Sequence, residues 1–402
     1  MAIQRLYALI VFGLLTLLDG ANCMPAAATV THTPSTSNPL TSTVVSSTVA
    51  PAPSCAVNHP SISAGKLRFA GVNIAGFDFG CGTDGTCTVA GAWPPLAQYY
   101  GYDGAGQMKH FVQNDGYNIF RLPVGWQYLT GNDTTAVSTL NATNFAEYDA
   151  LVQACLSTGA HCIIDIHNYA RFNGGIVGQG GPDNSVLAGL WSSIAKKYAH
   201  TPNVIFGVMN EPHDVPDITL WAASVQAVVT AIRRAGATTQ LILLPGNNWT
   251  SAQTFVSSGS ADALNKVRNP DGTKLNLIFD VHKYLDSDNS GSHPDCVTNN
   301  IDDSWAPLAQ WLRCHGRQAL NTETGGGNVA DCVTFMSQQI AFQAANSDVF
   351  LGYLGWSAGN FDPTYTLAET PTENGTTWTD TMLVSSALSP KVNKLVVEPF
   401  TF

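Results

Sequence analysis

The stretch VIFGVMNEP, residues 204–212, decides how the rest of the chain is interpreted. Its first six residues form an almost wholly apolar run, which predicts one buried β-strand. The run stops at Asn210-Glu211-Pro212, because a proline has no N–H group to donate to a sheet. A carboxyl group at the mouth of a buried strand is poorly solvated, so the pKa of Glu211 should be raised. Such a side chain suits general acid catalysis, and the alternative is a strand-end glutamate that simply faces water.

Seven further apolar runs rich in strand-forming residues bring the number of predicted strands to eight. The strands are predicted at 67–74, 118–124, 161–167, 204–210, 241–247, 276–284, 318–324 and 351–357. Helices are predicted near 105–115, 145–158, 185–200, 217–236, 302–315, 329–346 and 380–389, with only a short one near 251–258 in the fifth gap. Strands that alternate with helices are typically parallel and joined by right-handed crossovers. The pattern therefore predicts a (β/α)8 TIM barrel, an α/β fold, and no glycine-rich phosphate fingerprint follows the first strand.

The ends of the chain differ in composition from this central part. Residues 1–22 combine Arg5, an apolar run over 6–18 and small residues, as a secretory signal peptide does. The run is shorter than the roughly 20 residues that a membrane span needs. Residues 23–65 contain no charged residue and are rich in Ser, Thr and Pro, which predicts an extended linker. We expect a catalytic domain over 66–390, an apolar tail over 391–402, and a secreted, extracellular monomer without a membrane partner.

Charge excludes one class of partner. The formal net charge is −11, and charged residues make up 12% of the chain, about half the usual share. Nucleic-acid binding depends on basic patches, so no nucleic-acid partner is expected.

Polar and aromatic residues stand at or just after the predicted strand ends. In a (β/α)8 barrel, the carboxyl ends of the strands carry the active site. The residues at these positions are Asn73, Arg121, His167, Asn210, Glu211, Asn247, His282, Tyr284, Glu323 and Trp356. Each one alone has a structural explanation, such as a salt bridge for Arg121 or a hydrogen-bonded core position for His167. Together they predict a polar cleft with aromatic walls.

Two of these residues are carboxylates on strands that lie across the barrel from each other. Glu211 follows the fourth strand and Glu323 ends the seventh, a placement that suits two groups flanking a glycosidic bond. Arg121 and Tyr284 are the expected neighbours of Glu323, and both would stabilise its ionised form. Glu323 is therefore the candidate nucleophile, and Glu211 the candidate acid and later base.

Seven short stretches carry a resemblance to a known family. They are GVNIAGFDFG (71–80), RLPVGW (121–126), DIHNY (165–169), NEPHD (210–214), HKYLD (282–286), TETGGG (322–327) and GYLGWSAG (352–359). In this order they resemble glycoside hydrolase family 5, specifically its fungal-type secreted endo-β-1,4-glucanases, over about residues 66–390. The resemblance implies a retaining mechanism with Glu211 as proton donor and Glu323 as nucleophile, and it implies neither a cofactor nor a metal.

The resemblance also assigns supporting roles in the cleft. Asn210 would hold the sugar 2-hydroxyl group, and Trp356 would be the stacking platform under the sugar that is cleaved. Arg121, His167, His282 and Tyr284 would complete the cleft, with Asn73 beside them. Asn248 heads an N-glycosylation sequon next to Trp249, and there we favour a cleft role for the indole over a glycan. Asn132, Asn141 and Asn374 head sequons in loop-like stretches and are candidate glycan sites.

The nine cysteines fit an oxidising compartment. Cys23 is expected to leave with the signal peptide or to lie beside its cleavage site, and the absence of any C-x-x-C pair argues against a zinc site. The resemblance leaves Cys55 and Cys314 as unusual positions, and both should lie at the lower face of the barrel. We expect them to pair, although two free thiols are the alternative. The remaining pairs would be Cys81–Cys87, Cys155–Cys162 and Cys296–Cys332.

Three functions are compatible with these observations. The first is an endo-β-1,4-glucanase that acts on cellulose and soluble β-glucans. The second is another β-glycanase of the same family, such as an endo-β-mannanase, since the carboxylate pair is shared and the loops select the sugar. The third is a non-catalytic carbohydrate-binding barrel, but such proteins usually lose a catalytic carboxylate, and both carboxylates are present here.

Overall fold

The fold is taken from a computed structural model of the chain, which describes residues 66–88, 103–131, 135–362 and 364–392. The predicted signal peptide, the predicted linker, residues 393–402 of the tail, Cys55 and Asn132 lie outside these ranges. The expectations for them stay predictions. Within the described part of the chain, no helix is long and apolar enough to cross a membrane.

Eight parallel strands close into a barrel, which confirms the predicted (β/α)8 architecture. The barrel strands are β1 (Phe69–Ala75), β2 (Ile119–Val124), β3 (His161–Ile166), β6 (Val204–Gly207), β7 (Ile242–Pro245), β8 (Leu277–His282), β9 (Ala319–Thr324) and β10 (Phe350–Gly359). Two short hairpins lie outside the barrel, formed by β4 (Arg171–Phe172) with β5 (Gly175–Ile176) and by β11 (Thr372–Asn374) with β12 (Thr377–Thr379). Around the barrel, neighbouring strands follow the chain order, and β1 pairs with both β2 and β10.

Helices pack outside the barrel at most of the predicted positions. They are α1 (Gly104–His110), α2 (Trp126–Thr130), α3 (Ala142–Ser157), α4 (Asn184–Lys197), α5 (Ile218–Arg234), α6 (Ser260–Leu264), α7 (Ala306–His315) and α8 (Ala330–Ala345). Short π-helical turns at Phe111–Asp115, Ile301–Trp305 and Val384–Leu388 follow α1, precede α7 and follow the last strand. The helix predicted near 217–236 is confirmed as α5, and its side chains Val225, Val228, Val229 and Ile232 are buried.

The short helix predicted near 251–258 is wrong. Residues 252–258 form successive turns, and the helix of this gap is α6, which begins after Gly259 in the left-handed conformation at φ 77°. Thr254 donates its backbone N–H to the carbonyl of Ser251, and Ser257 and Ser258 also bond locally through their hydroxyl groups. Serine side chains can compete in this way with helical backbone hydrogen bonds, and apolar periodicity does not reveal the competition.

The barrel interior is built in layers. Ten apolar side chains contributed by or adjoining the barrel strands form one cluster that is separate from the larger core between strands and helices. Strand residues two apart point to the same face, so the residues after this cluster continue upward inside the barrel. Four polar residues stand two positions after residues of this cluster, and all four are buried. They are Arg121 after Ile119, Asp165 after Ile163, Asp280 after Ile278, and Thr322 after Leu320. A buried polar layer therefore separates the apolar floor from the cleft above.

A register shift in β9 changes the direction of the side chains at its end. Val281 of β8 pairs with Asn321, but the next residue, His282, pairs with Glu323, so β9 has one extra residue at this point. An extra residue of this kind is a β-bulge, which re-aims the side chains that follow it. Because of the bulge, the adjacent residues Thr322 and Glu323 both make contacts inside the barrel mouth, with Asp280 and Arg121 respectively.

The structure contains three disulfides between described residues. They join Cys81 to Cys87, Cys155 to Cys162, and Cys296 to Cys332. Cys314 is disulfide-bonded as well, but its predicted partner lies outside the described residues, so that pairing stays a prediction.

Candidate active site

Glu323 at the end of β9 accepts hydrogen bonds at both carboxylate oxygens. Arg121 Nη1 donates to Oε1, and the Tyr284 hydroxyl donates to Oε2 at 2.7 Å. Burial and the nearby Glu323 charge raise the pKa of Tyr284 well above its ordinary value, so the phenol keeps its proton. Hydrogen bonds accepted at both oxygens favour the ionised carboxylate, which is the form that acts as a nucleophile.

Arg121 is fully buried and links four side chains beneath the cleft. Its Nη2 donates to Asn210 Oδ1 at 2.6 Å and lies 3.0 Å from Asp165 Oδ2, while Nη1 also donates to Asn73 Oδ1 at 2.9 Å. Since Arg121 binds the amide oxygen of Asn210, the amide nitrogen points elsewhere. That buried nitrogen has no hydrogen-bond partner among the described residues, so it is a donor available to a ligand hydroxyl group.

Glu211 lies four residues beyond the end of β6, with its backbone in the left-handed region at φ 36°. The strand is thus shorter than predicted, and a strained turn carries the carboxyl group. Its side chain is 15% exposed, and Oε1 lies 2.7 Å from His282 Nδ1. Burial raises the pKa of Glu211 to about 7, against the opposing positive charges of His167 and Arg121. This value lies near neutrality, as the sequence predicted for a general acid.

The two carboxyl groups are close together. One oxygen of Glu211, one nitrogen of His282 and one oxygen of Glu323 all lie within 4.8 Å of one another. In retaining glycosidases the carboxyl groups are about 5–5.5 Å apart, whereas inverting enzymes separate them by about 6.5–9.5 Å to admit a water molecule. The spacing therefore matches a retaining geometry.

The two histidines of the cleft differ in their electrostatic environment. His167 Nδ1 lies 2.8 Å from Asp165 Oδ2, and although burial opposes its charge, this carboxylate raises the pKa of His167. Burial lowers the pKa of His282, despite the negative charges of Glu323 and Asp280. The Asp165 carboxylate therefore favours the cationic form of His167, whereas burial favours the neutral imidazole of His282 beside Glu211.

Aromatic side chains form the walls of the cleft. Trp356 is 9% exposed and lies parallel to the ring of His167, with centroids 5.4 Å apart. Trp249 is 39% exposed and stacks on His213 at 3.9 Å between centroids. The cleft has a volume of about 470 Å³. It is lined by Thr83, His167, Tyr169, Glu211, Trp249, Tyr284, Asp288, Asn289, Ser290, Glu323 and Trp356.

Trp249 stands on an unusual backbone. Asn248, Trp249 and Thr250 are three consecutive non-glycine residues with φ between 48° and 60°. Such a conformation costs free energy and persists only where surrounding contacts hold it, here the Trp249 N–H to Pro212 carbonyl bond and the Thr250 hydroxyl to Asp280 carbonyl bond. The strand β7 ends before this turn, at Pro245 rather than at the predicted residue 247.

Five strand-end residues singled out in the sequence are not among the side chains that line the cleft: Asn73, Arg121, Asn210, Asn247 and His282. Asn73 is buried beneath it and donates to the backbone carbonyls of Thr322 and Gly355, so it supports the floor. Asn247 exchanges hydrogen bonds with the backbone of Val215 and stabilises a loop.

Sequence reasoning missed several residues of the site. Asp165 and Tyr169 stand within the stretch DIHNY, so their position beside His167 was a usable signal. Thr322 and Asp280 gave a weaker signal, because their roles depend on which barrel strands are neighbours. The loop residues Asp288, Asn289 and Ser290 carried no periodic signal that could have placed them in the cleft.

Three groups of side chains in the described part of the chain have spacings compatible with a metal ion. They are His110 with Asp115 and Asp380, Glu211 with His282 and Glu323, and Asp286 with Asp288 and His293. In each group the histidine already bonds a carboxylate, at 2.7, 2.7 and 3.1 Å respectively. These contacts account for the proximity of the side chains, and the expectation of a metal-free site stays a prediction.

A (β/α)8 barrel with two adjacent carboxyl groups in an aromatic-walled cleft defines a glycoside hydrolase. Comparison with known proteins specifies which one: cellulase (glycosyl hydrolase family 5) matches residues 72–362. The chain belongs to this family.

Individual relatives agree with this assignment. Endoglucanase EG-II of Hypocrea jecorina is 63% identical over 329 residues, which are 81% of this chain and 78% of the relative. The crystal structure of Cel5A (EG2) from Hypocrea jecorina (Trichoderma reesei) aligns with a TM-score of 0.78 at 62% identity, covering 81% of this chain and 99% of that one. XacCel5A, solved in complex with cellopentaose, aligns with a TM-score of 0.70 at 28% identity, covering 82% of this chain and 99% of that one.

Proposed function

We propose that this protein is a retaining endo-β-1,4-glucanase that hydrolyses internal bonds of cellulose and soluble β-glucans. The observation that carries the mechanism is the short separation of Glu211 and Glu323, since one carboxylate oxygen of Glu211 lies within 4.8 Å of one carboxylate oxygen of Glu323. The polysaccharide class is supported by family membership and by relatives that are endoglucanases at up to 63% identity.

The first chemical step forms a covalent intermediate. Glu323, ionised and held by Arg121 and Tyr284, attacks the anomeric carbon as the bond to the leaving sugar breaks. Glu211 gives its proton to the leaving oxygen, which departs as a hydroxyl group. Its raised pKa keeps the proton available near neutrality.

The second step returns the enzyme to its starting state. Glu211, now ionised, takes a proton from water as the water oxygen attacks the anomeric carbon. The ester bond to Glu323 breaks and releases its carboxylate. Two displacements at one carbon retain the β configuration.

Other residues position the substrate. The buried amide nitrogen of Asn210 is free to donate to the 2-hydroxyl group, a contact that strengthens in an oxocarbenium-like transition state. Trp356 offers an aromatic face at the floor, and Trp249 offers a second at the rim, where a longer chain would pass.

We also propose that the protein is secreted as a monomer after removal of residues 1–22. The signal-like start and the disulfides support export. The sequon residues Asn141 and Asn374 are exposed, as glycan attachment requires.

A substrate panel tests the proposed function. Purified protein is incubated with carboxymethyl cellulose, mixed-linked β-glucan, mannan and xylan, and new reducing ends are measured. We expect activity on the first two substrates with a rapid fall in viscosity, since internal cleavage shortens chains quickly. Activity on mannan alone would replace the glucanase with the mannanase alternative, and proton NMR showing an initial α product would exclude retention.

The pKa of Glu211 predicts the alkaline limit of activity. Since Glu211 must be protonated to act as an acid, kcat/KM on β-glucan should fall as the pH rises through about 7. The measurement is kcat/KM between pH 4 and 9, with an aryl cellobioside that carries a well-stabilised leaving group as comparison. That substrate needs little protonation, so its kcat/KM should decline less over the same range. Undiminished hydrolysis of β-glucan at pH 9 would contradict the assignment of Glu211 as the acid.

A further inference from the structure

A chain of hydrogen bonds connects Glu211 to a second buried carboxylate that does not line the cleft. Glu211 Oε1 lies 2.7 Å from His282 Nδ1, and His282 Nε2 lies 2.9 Å from Thr322 Oγ1. The Thr322 hydroxyl group in turn donates to Asp280 Oδ1. Asp280, His282 and Thr322 are all at least 98% buried, so bulk water does not compete for these contacts.

The direction of the hydrogen bonds follows from the number of protons available. A hydroxyl group has one hydrogen, and Thr322 gives it to the Asp280 carboxylate. Thr322 Oγ1 can then only accept, so the partner nitrogen His282 Nε2 must carry a proton. Burial favours the neutral imidazole of His282, and in that form its other nitrogen, Nδ1, has a lone pair and accepts as well. The hydrogen bond with Glu211 therefore needs its proton on the Glu211 carboxyl group.

We propose that Asp280 and Thr322 are positioning residues that hold His282 in the Nε2–H tautomer and thereby keep Glu211 in its acid form. This inference rests on the proposed function of Glu211 as proton donor. The bulge in β9 makes the arrangement possible, because it directs Thr322 toward Asp280 while Glu323 still reaches Arg121.

Reversal of these hydrogen-bond directions would favour the ionised form of Glu211 over its acid form. If His282 carried its proton on Nδ1, it would donate to Glu211 and stabilise the carboxylate, as any hydrogen bond to the charged form does. A hydrogen bond to a charged group is stronger than one between neutral groups, so the ionised form of Glu211 would be stabilised more than its acid form. Loss of the tautomer bias should therefore lower the pKa of Glu211 by about one unit.

The remaining charged and titratable groups are common to the wild type and to the variants below. Those acting on Glu211 or His282 are Arg121, Asp165, His167, Tyr169, His213, Tyr284 and Glu323.

The first test is Thr322→Val, which removes the hydroxyl group and keeps the branched shape. The alkaline limb of kcat/KM on β-glucan should move to lower pH by about one unit. At pH values above the limb, kcat/KM should then be about tenfold lower than that of the wild type. Hydrolysis of an aryl cellobioside with a well-stabilised leaving group should change much less, since it needs little help from the acid. Thr322→Ser restores the hydroxyl group and should restore the wild-type limb.

Thr324→Val is the matched control. Thr324 is a buried threonine on the same strand, and its hydroxyl group donates to the Lys283 carbonyl and accepts from Gln339 Nε2. It has the same chemistry without contact to His282, so its alkaline limb should stay at the wild-type position. If Thr322→Val keeps the same limb as Thr324→Val, the proposal is overturned.

A measurement on the unmodified protein does not depend on the folding of any variant. Histidine labelled with ¹⁵N shows by NMR which ring nitrogen carries the proton, and His282→Gln identifies the signal. At a pH below the alkaline limb, Nε2 of His282 should be protonated and Nδ1 bare. A proton on Nδ1 would overturn the proposal even if the enzyme is active. A wild type without activity on β-1,4-glucan would instead overturn the proposed function, whereas NMR would still show which nitrogen of His282 carries the proton.

Discussion

Glu323→Gln is expected to lower kcat on carboxymethyl cellulose by about 10⁴-fold or more, since an amide cannot form the glycosyl ester. The fold should survive, because the amide oxygen can still accept from Arg121, and Arg121 keeps its ion pair with Asp165 at 3.0 Å. Reducing-end release measures the loss, and thermal unfolding verifies the fold. Glu373→Gln removes an exposed carboxylate on β11 and should leave kcat unchanged.

An external nucleophile distinguishes the role of Glu323 from general damage to the site. In Glu323→Ala, azide can occupy the vacated space and attack an activated aryl cellobioside from the same face. The product should be the α-cellobiosyl azide, since a single displacement inverts the anomeric carbon. Turnover of Glu323→Gln at the wild-type rate, or formation of the β azide, would exclude Glu323 as the nucleophile.

Glu211→Gln is expected to lower kcat/KM on β-glucan by about 10²–10⁴-fold, the usual contribution of a general acid. The loss should depend on the leaving group, because a sugar alkoxide needs a proton and a well-stabilised phenolate does not. With an activated aryl cellobioside, the first step should stay fast and the second should become slow, giving a burst of phenol. The burst is measured by stopped-flow absorbance.

Azide again separates the two carboxyl groups. In Glu211→Ala the intermediate on Glu323 still forms from an activated substrate, and azide then attacks it without needing a base. Two displacements give the β-cellobiosyl azide, the opposite anomer from that expected for Glu323→Ala. Equal losses on activated and unactivated substrates would be inconsistent with an acid role for Glu211.

Much of the fold could be predicted because it depends on local patterns. The apolar run over 204–209 and seven similar runs predicted eight strands, and the stretches between them predicted most of the helices, α5 included. The short helix near 251–258 failed because the backbone there forms successive turns, with local hydrogen bonds from serine hydroxyl groups. The predicted ends of the strands were less accurate, since the strained turns at Glu211 and Trp249 begin before the apolar pattern stops.

The candidate site could be predicted only in part. The presence of two carboxyl groups, a cation and an indole at strand ends followed from the strand pattern and the resemblance to family 5. The contact of Arg121 with Glu323 was expected and is present, but its links to Asn73, Asp165 and Asn210 depend on strand order and side-chain direction. The loop at 288–290 enters the cleft without any signal in its residues.

The sequence by itself determined the chemical groups and the strands that carry them, because apolar runs and their polar ends are local properties of the chain. The end of the apolar run also predicted a raised pKa for Glu211, but only the tertiary structure decided which neighbours set its value. Burial raises the pKa of Glu211 to about 7, and the bulge in β9 brings Thr322 between Asp280 and His282. Closure of the barrel brings together residues that are distant in sequence, so the value of this pKa and the hydrogen bonds of Thr322 do not follow from any local pattern.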